Sequence, residues 1–230
     1  MQIFVGMKSY LARAMPVVID KISTEWIWDY YVLVAGSLSR SALAAFAVVK
    51  VLDSFYTVIS YGISDAEGIL ISSFMGKSDI KSAKKFTRLS LALCAILSAS
   101  LCIFIFVFYG QIVHLFTEDH QVVELFGSVL VVANLAVFVY CNVAVIVGIE
   151  VALNLQLSGA LIRVAFLWMF GSCLILLSVE GFDMGLFGLV VSILLSFVFT
   201  NVALIVNFES RDWSVLLKSS LASQEKLKAP

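Results

Sequence analysis

Six long apolar runs, separated by short polar links, constrain this chain more than any other feature. Cut at its charges and turn formers, the sequence gives segments at about Ala14–Gly36, Ser41–Phe74, Phe86–Tyr109, Val122–Ile149, Leu157–Val179 and Met184–Val206. Each is near or above the roughly 20 residues that an α-helix needs to cross hydrocarbon. The second is too long for a simple perpendicular span, so it is expected to tilt, bend near Gly62 or project from the membrane. The expected fold is all-α: a polytopic membrane protein with six transmembrane helices over residues 1–210 and a cytoplasmic tail over 211–230. Composition agrees. With 61% hydrophobic and 13% charged residues and a mean hydropathy of +1.04, the chain lacks the polar surface that a soluble domain needs. The net charge of −1 gives no reason to expect a nucleic-acid partner.

Lys and Arg collect in cytoplasmic loops, so their distribution predicts orientation. Lys8 and Arg13 precede the first run, and Arg40 alone follows it. Lys77, Lys81, Lys84, Lys85 and Arg88 cluster after the second. The third and fifth links have neither residue, and Arg211, Lys218, Lys226 and Lys228 fill the tail. The alternation predicts a multi-pass protein with both termini in the cytoplasm. The fourth link, Glu150–Gln156, is silent, and Arg163 beyond it is expected to snorkel back to the cytoplasmic side. Met1 to Met7 carry no basic region before an apolar core, so no cleaved signal peptide is expected and the first helix serves as its own signal.

Charge inside an apolar run needs a reason. On the first helix, Lys21, Thr24, Glu25, Trp28 and Asp29 share one face, with Glu25 four residues from both Lys21 and Asp29. On the second, Lys50, Asp53, Ser54, Thr57, Tyr61 and Ser64 do the same, and Lys50 is spaced to pair with Asp53. A charge near the membrane midplane costs roughly 2.5 to 3.5 kcal/mol on insertion scales, so both stripes are expected to face protein or a watery cavity. They read equally as interhelical salt bridges and as the lining of a transport path. Lys21, one turn from Glu25, is also placed to hold it as a permanent carboxylate.

The remaining features are connective. Ser78 or Asp79 is expected to start the third helix, and Thr117 or Asp119 the fourth. Glu180, Gly181 and Asp183 suggest a tight acidic turn. Trp213, Leu216, Leu217 and Leu221 suggest a short helix at the inner interface, with Trp213 as its aromatic anchor. His114 and His120 read as surface residues. Cys94, Cys102, Cys141 and Cys173 lie in apolar runs without metal or redox spacing and read as small core residues. No metal cluster, Ser/His pairing or phosphate-cradling glycine loop points to an enzyme.

Several landmarks in fixed order resemble the MATE (multidrug and toxic compound extrusion) family. They are Ala14-Met15-Pro16 opening a helix that continues through Glu25-Trp26 to Ala35-Gly36, then Leu43-Ala44-Ala45, and Gly62-Ile63-Ser64 with Ala66. Gly76-Lys77-Ser78-Asp79 with Ala83-Lys84-Lys85, Phe116-Thr117-Glu118-Asp119, Gly148, Gly159, Gly185-Leu186-Phe187-Gly188-Leu189 and Asp212-Trp213 complete the series. The family has twelve helices in two six-helix lobes. This chain resembles one lobe, and the Glu-Trp and Asp-Trp pairs make it more similar to the second lobe of eukaryotic members.

The resemblance implies a half-size transporter that exchanges small organic cations or xenobiotics against protons or sodium. It implies that Glu25 and Asp29 carry the ion coupling; the polar stripes, and not the resemblance, add Lys21, Trp28, Lys50, Asp53, Thr57 and Tyr61 as expected cavity-lining residues. No cofactor is implied beyond the coupling ion. Sites in such transporters lie between repeats, so a single lobe needs a homodimer partner or a companion half in the same bilayer. Two departures keep an alternative open. The R-G-x-G that usually follows the fourth span is replaced by Val151-Ala152-Leu153-Asn154, and the Gly-x-Pro that ends the fifth is replaced by Gly171-Ser172-Cys173. The alternative is a transport-inactive scaffold or assembly partner derived from such a lobe, or a truncated gene product.

Overall fold

Three helices of this protein start where a polar side chain caps the first turn, and one ends at a left-handed asparagine. The computed structural model describes residues 2–216, which form six long helices and no strand. They are α1 (Gln2–Leu38), α2 (Arg40–Gly76), α3 (Ile80–His114), α4 (His120–Leu153), α5 (Gln156–Gly181) and α6 (Gly185–Glu209). Ser39 caps α2 by accepting from the Ala42 amide at 3.0 Å. Asp79 caps α3 from the Ser82 amide at 3.0 Å, and Asp119 caps α4 from the Gln121 amide at 2.9 Å. Each side-chain oxygen satisfies a first-turn donor that the helix itself cannot. Asn154, at φ 57°, closes α4, and the Leu155 amide donates back to the Glu150 carbonyl at 2.8 Å.

Every apolar run corresponds to one helix, and all but α6 extend beyond their runs at both ends. α1 begins well before Ala14-Met15-Pro16. α2 does not break at Gly62. Its 37 residues form one rod of about 55 Å at roughly 1.5 Å per residue, longer than the hydrocarbon layer. The departures from α geometry lie elsewhere. Phe108 interrupts α3 at φ −104°, ψ 15°, and α5 widens into π-helical turns over Val164–Phe170 and Leu176–Gly181. The turn before α6 falls at residues 182–184, so Glu180 and Gly181 remain in the last turn of α5.

Five of these helices are long and apolar enough to cross a membrane. The remaining one, α1, carries Asp20, Lys21, Glu25 and Asp29. α4 lies at the centre, with α2, α3 and α6 packed around it and α1 and α5 completing the bundle. Close approach of α2 and α4 depends on Gly148: a Cβ there would run into the Ser64 backbone. Small residues at such crossings give membrane helices the contact that hydrophobicity cannot provide between them. An aromatic cluster fixes the core where α1, α2, α4 and α6 meet. The Trp28 ring lies 5.7 Å from Tyr140, 5.8 Å from Phe197, 6.0 Å from Tyr31 and 6.4 Å from Phe46.

Some peripheral expectations change. Trp213 is buried, donates its indole N–H to the Phe208 carbonyl at 3.3 Å, and has Lys84 over its ring at 5.5 Å. It locks the end of α6 onto the start of α3 instead of standing free as an interfacial anchor. Cys94 and Cys141 are buried and Cys102 is half-buried, whereas Cys173 is exposed. His114 and His120 are exposed. The expectations for residues 217–230, Leu217 and Leu221 included, and for the side chains of Lys8, Arg13 and Pro16 lie outside the described residues.

Candidate functional site

α1 and α2 run antiparallel, which sets the two polar stripes against each other in opposite chain order. The Tyr61 hydroxyl donates to Glu25 Oε1 at 3.1 Å. Lys21 Nζ stands 3.8 Å from the centre of the Tyr61 ring. One stretch further along the seam, Lys50 Nζ lies 3.6 Å from Asp29 Oδ1 and 5.5 Å from the centre of the Trp28 ring. Asp53 is buried beside this seam, and its Oδ1 has no hydrogen-bond partner among the described residues. Thr57 donates to its own helix, at the carbonyls of Asp53 and Ser54. The eight residues read from the stripes therefore meet at one seam.

Their pairing differs from the sequence expectation in two ways. Lys50 turns to Asp29 on the neighbouring helix and not to Asp53 one turn away. A lysine can reach either partner, and the α1 surface leaves Asp29 open to it. Lys21 does not lock Glu25, because Tyr61 comes between them: it offers its ring to the amine and its hydroxyl to the carboxylate. Trp28, 2% exposed, forms the aromatic floor under the seam, and its indole N–H has no partner among the described residues. Lys21, Glu25 and Asp29 are exposed on the chain's own surface, where lipid is a poor solvent for them. A cavity of about 900 Å³ continues from Lys21 and Tyr61 along α2, lined by Ser64, Asp65, Ser72 and Gly148.

A second charged cluster was not foreseen. Arg163 on α5, 1% exposed, is clasped between Asp20 of α1 and Glu150 of α4. Its Nε donates to Asp20 Oδ1, and its Nη2 lies 2.5 Å from Glu150 Oε2. The expected snorkelling does not occur, since two buried carboxylates neutralise the guanidinium where it stands. Gly159 makes room for the cluster, as a Cβ there would run into the Glu150 carboxylate. Nearby, the Trp168 indole donates to the Ser23 carbonyl at 3.0 Å and ties α5 to α1. The available sequence signal was that Asp20, Glu150 and Arg163 each interrupt or border an apolar run. Their meeting across 143 residues leaves no local pattern. Among the described residues, no group of His, Cys, Asp and Glu is arranged to hold a metal ion.

A helical bundle of this length and apolarity is a multi-pass membrane protein. The MatE family model matches residues 16–174, and the chain belongs to that family, one of transporters. Among curated proteins, it is 22% identical over 180 residues to an uncharacterized transporter of Schizosaccharomyces pombe, covering 78% of this chain and 33% of that protein. It is 26% identical over 138 residues to the probable multidrug resistance protein NorM of Photorhabdus laumondii, covering 60% of this chain and 27% of that protein. Among solved structures, the eukaryotic MATE transporter AtDTX14 aligns with a TM-score of 0.87 at 20% identity, over 95% of this chain and 49% of its own. The Vibrio cholerae MATE transporter VcmN in its bent form aligns at 0.83 and 15% identity, over 90% of this chain and 47% of its own. The chain thus spans about half the length of these solved transporters and a third or less of the curated relatives.

Proposed function

We propose that this chain forms one six-helix lobe of a proton- or cation-coupled antiporter of small organic cations, working with a second lobe from another copy or a companion half. The observation that carries the reading is Glu25. Its carboxylate stands on an exposed face shared with Lys21 and Asp29 and accepts a hydrogen bond from the Tyr61 hydroxyl at 3.1 Å. A charged face on a membrane helix needs water or protein against it, and in transporters built from repeats the binding sites lie where repeats meet. Glu25 and Asp29 would take up a proton or sodium ion in one state and release it in the other, the two states differing in how water reaches them. Lys50 competes with that ion for Asp29, and the Tyr61 hydroxyl fixes the position of the Glu25 carboxylate.

Reconstituted vesicles test this directly. The chain should give proton-driven efflux of an organic cation, and Glu25→Gln should abolish the coupling. Intact flux in that variant removes Glu25 from the mechanism. Native mass in mild detergent tests the partner requirement, and a flux-competent monomer would overturn it.

One observation favours a second reading. Asp29 and Lys50 already neutralise each other, as they would in a transport-inactive scaffold that keeps the lobe as an assembly partner. In that case Lys50→Met combined with Asp29→Asn, which removes both members of the pair, should be tolerated. A proton-dependent flux that needs those two residues would exclude the scaffold.

A further inference from the structure

Glu67 has no part in the seam or in the buried triad, yet it is the most isolated carboxylate of the described bundle. It is 2% exposed, and neither carboxylate oxygen has a hydrogen-bond partner among the described residues. It lies on the α3 side of α2, in a groove of about 430 Å³ between these two helices. Ser90 of α3 faces it but donates its hydroxyl to the Phe86 carbonyl at 2.6 Å. The rest of the wall is apolar, and no cationic side chain lines it. Gly62 and Ala66 open the groove on the α2 side, and a Cβ at Gly62 would meet nothing within 4 Å. Val58, Leu70, Leu89 and Leu93 around it are exposed, so the groove opens laterally onto an apolar surface.

A buried carboxylate without a partner is costly, and the groove supplies no protein cation to offset it. An inorganic ion would fare poorly here, because hard cations need several oxygen ligands and the groove offers one carboxylate and one serine hydroxyl. An alkylammonium group asks for less: one carboxylate can accept two of its N–H bonds, and its hydrocarbon belongs against aliphatic walls. The volume is within the range of pockets that enclose small ligands.

We propose that the groove between α2 and α3 is a binding site for a lipophilic amine, its ammonium group held by the Glu67 carboxylate and its hydrocarbon lying against Val58, Ile59, Leu89 and Leu93. The ligand enters sideways from the bilayer, on a different face of α2 from the Glu25 seam. The site is independent of the antiporter reading, because its argument uses none of the seam residues.

Native mass spectrometry of the full chain in mild detergent tests the proposal, with dodecylamine as probe and dodecanol as a neutral probe of the same chain length. Wild-type protein should take up dodecylamine in preference to dodecanol. Glu67→Gln, which keeps the side-chain shape, and Gly62→Leu, which fills the groove and keeps the carboxylate, should each weaken amine binding by roughly tenfold or more. Glu67→Gln should leave dodecanol binding unchanged. Circular dichroism and monodisperse elution establish that each variant is folded. If Gly62→Leu does not fold, Glu67→Gln alone decides. Amine binding by folded Glu67→Gln within about twofold of wild type would overturn the proposal, as would equal binding of dodecanol and dodecylamine to the wild type. Full displacement of the amine by sodium chloride would also overturn it and mark an inorganic cation site. The readout is binding without flux, so a failed antiporter reading would leave the result standing.

Discussion

Asp20 and Lys21 are adjacent on α1, yet they enter charged clusters built on opposite terms. Asp20 turns inward to Arg163 and, with Glu150, closes a triad in which all three side chains are buried. Lys21 turns toward Tyr61 and belongs to an open seam, where the Asp29 side chain is 72% exposed and Lys50 32%. One residue along a helix is a rotation of about 100°, which here separates the bundle interior from its outer face. A buried charge without its partner is strongly destabilising, whereas an exposed pair contributes little to stability and remains free to exchange partners. The triad is therefore suited to holding α1, α4 and α5 together, and the open seam is where the proposed function places ion exchange.

The largest effect that would break this contrast is at Arg163. Arg163→Met should destabilise the bundle by about 3 to 5 kcal/mol, since it leaves Asp20 and Glu150 buried without a counter-charge. Reversible unfolding in mixed micelles measures it. Adding Asp20→Asn and Glu150→Gln should restore much of the loss, and failure to do so would mean that the triad is not one electrostatic unit.

Gly159→Ala comes next. Its Cβ would press on the Glu150 carboxylate, and overpacking of this kind costs roughly 1 to 3 kcal/mol. In the Arg163→Met background the penalty should shrink, because Glu150 is then free to move, and a double-mutant cycle reads the difference.

The seam should respond far more weakly. The coupling energy between Asp29→Asn and Lys50→Met is expected to be below about 1 kcal/mol and to fall as salt rises. A coupling comparable to that of the triad would erase the contrast. Glu25→Gln should be smallest of all in stability, within about 0.5 kcal/mol, as surface substitutions usually are. The contrast sharpens if the variant that barely alters stability is the one that abolishes coupled flux.

The limits of what could be read in advance follow from the same geometry. The seam was legible because each stripe repeats at helical spacing along one segment, and adjacent helices joined by a single capping residue, Ser39, have to pack side by side. Which partners form across it was not legible, as the choice of Asp29 over Asp53 by Lys50 depends on how α1 sits against α2. Arg163 shows the limit more sharply. Read alone, an arginine near the end of an apolar run belongs at the headgroups, and only the convergence of α1 and α4 on α5 supplies two carboxylates that let it stay inside. Glu67 gave no signal beyond being a charge in an apolar run, since its isolation is a property of the α2–α3 groove.

The sequence by itself determined the six helices, the face that each polar stripe occupies and membership in a family of membrane transporters, because apolar length, helical periodicity and capping residues act within a few turns of chain. Tertiary structure alone decided which charges are paired, which are buried and which stay open to exchange. Those outcomes depend on the distance and solvation of groups that lie far apart along the chain, and they are set only when the helices pack.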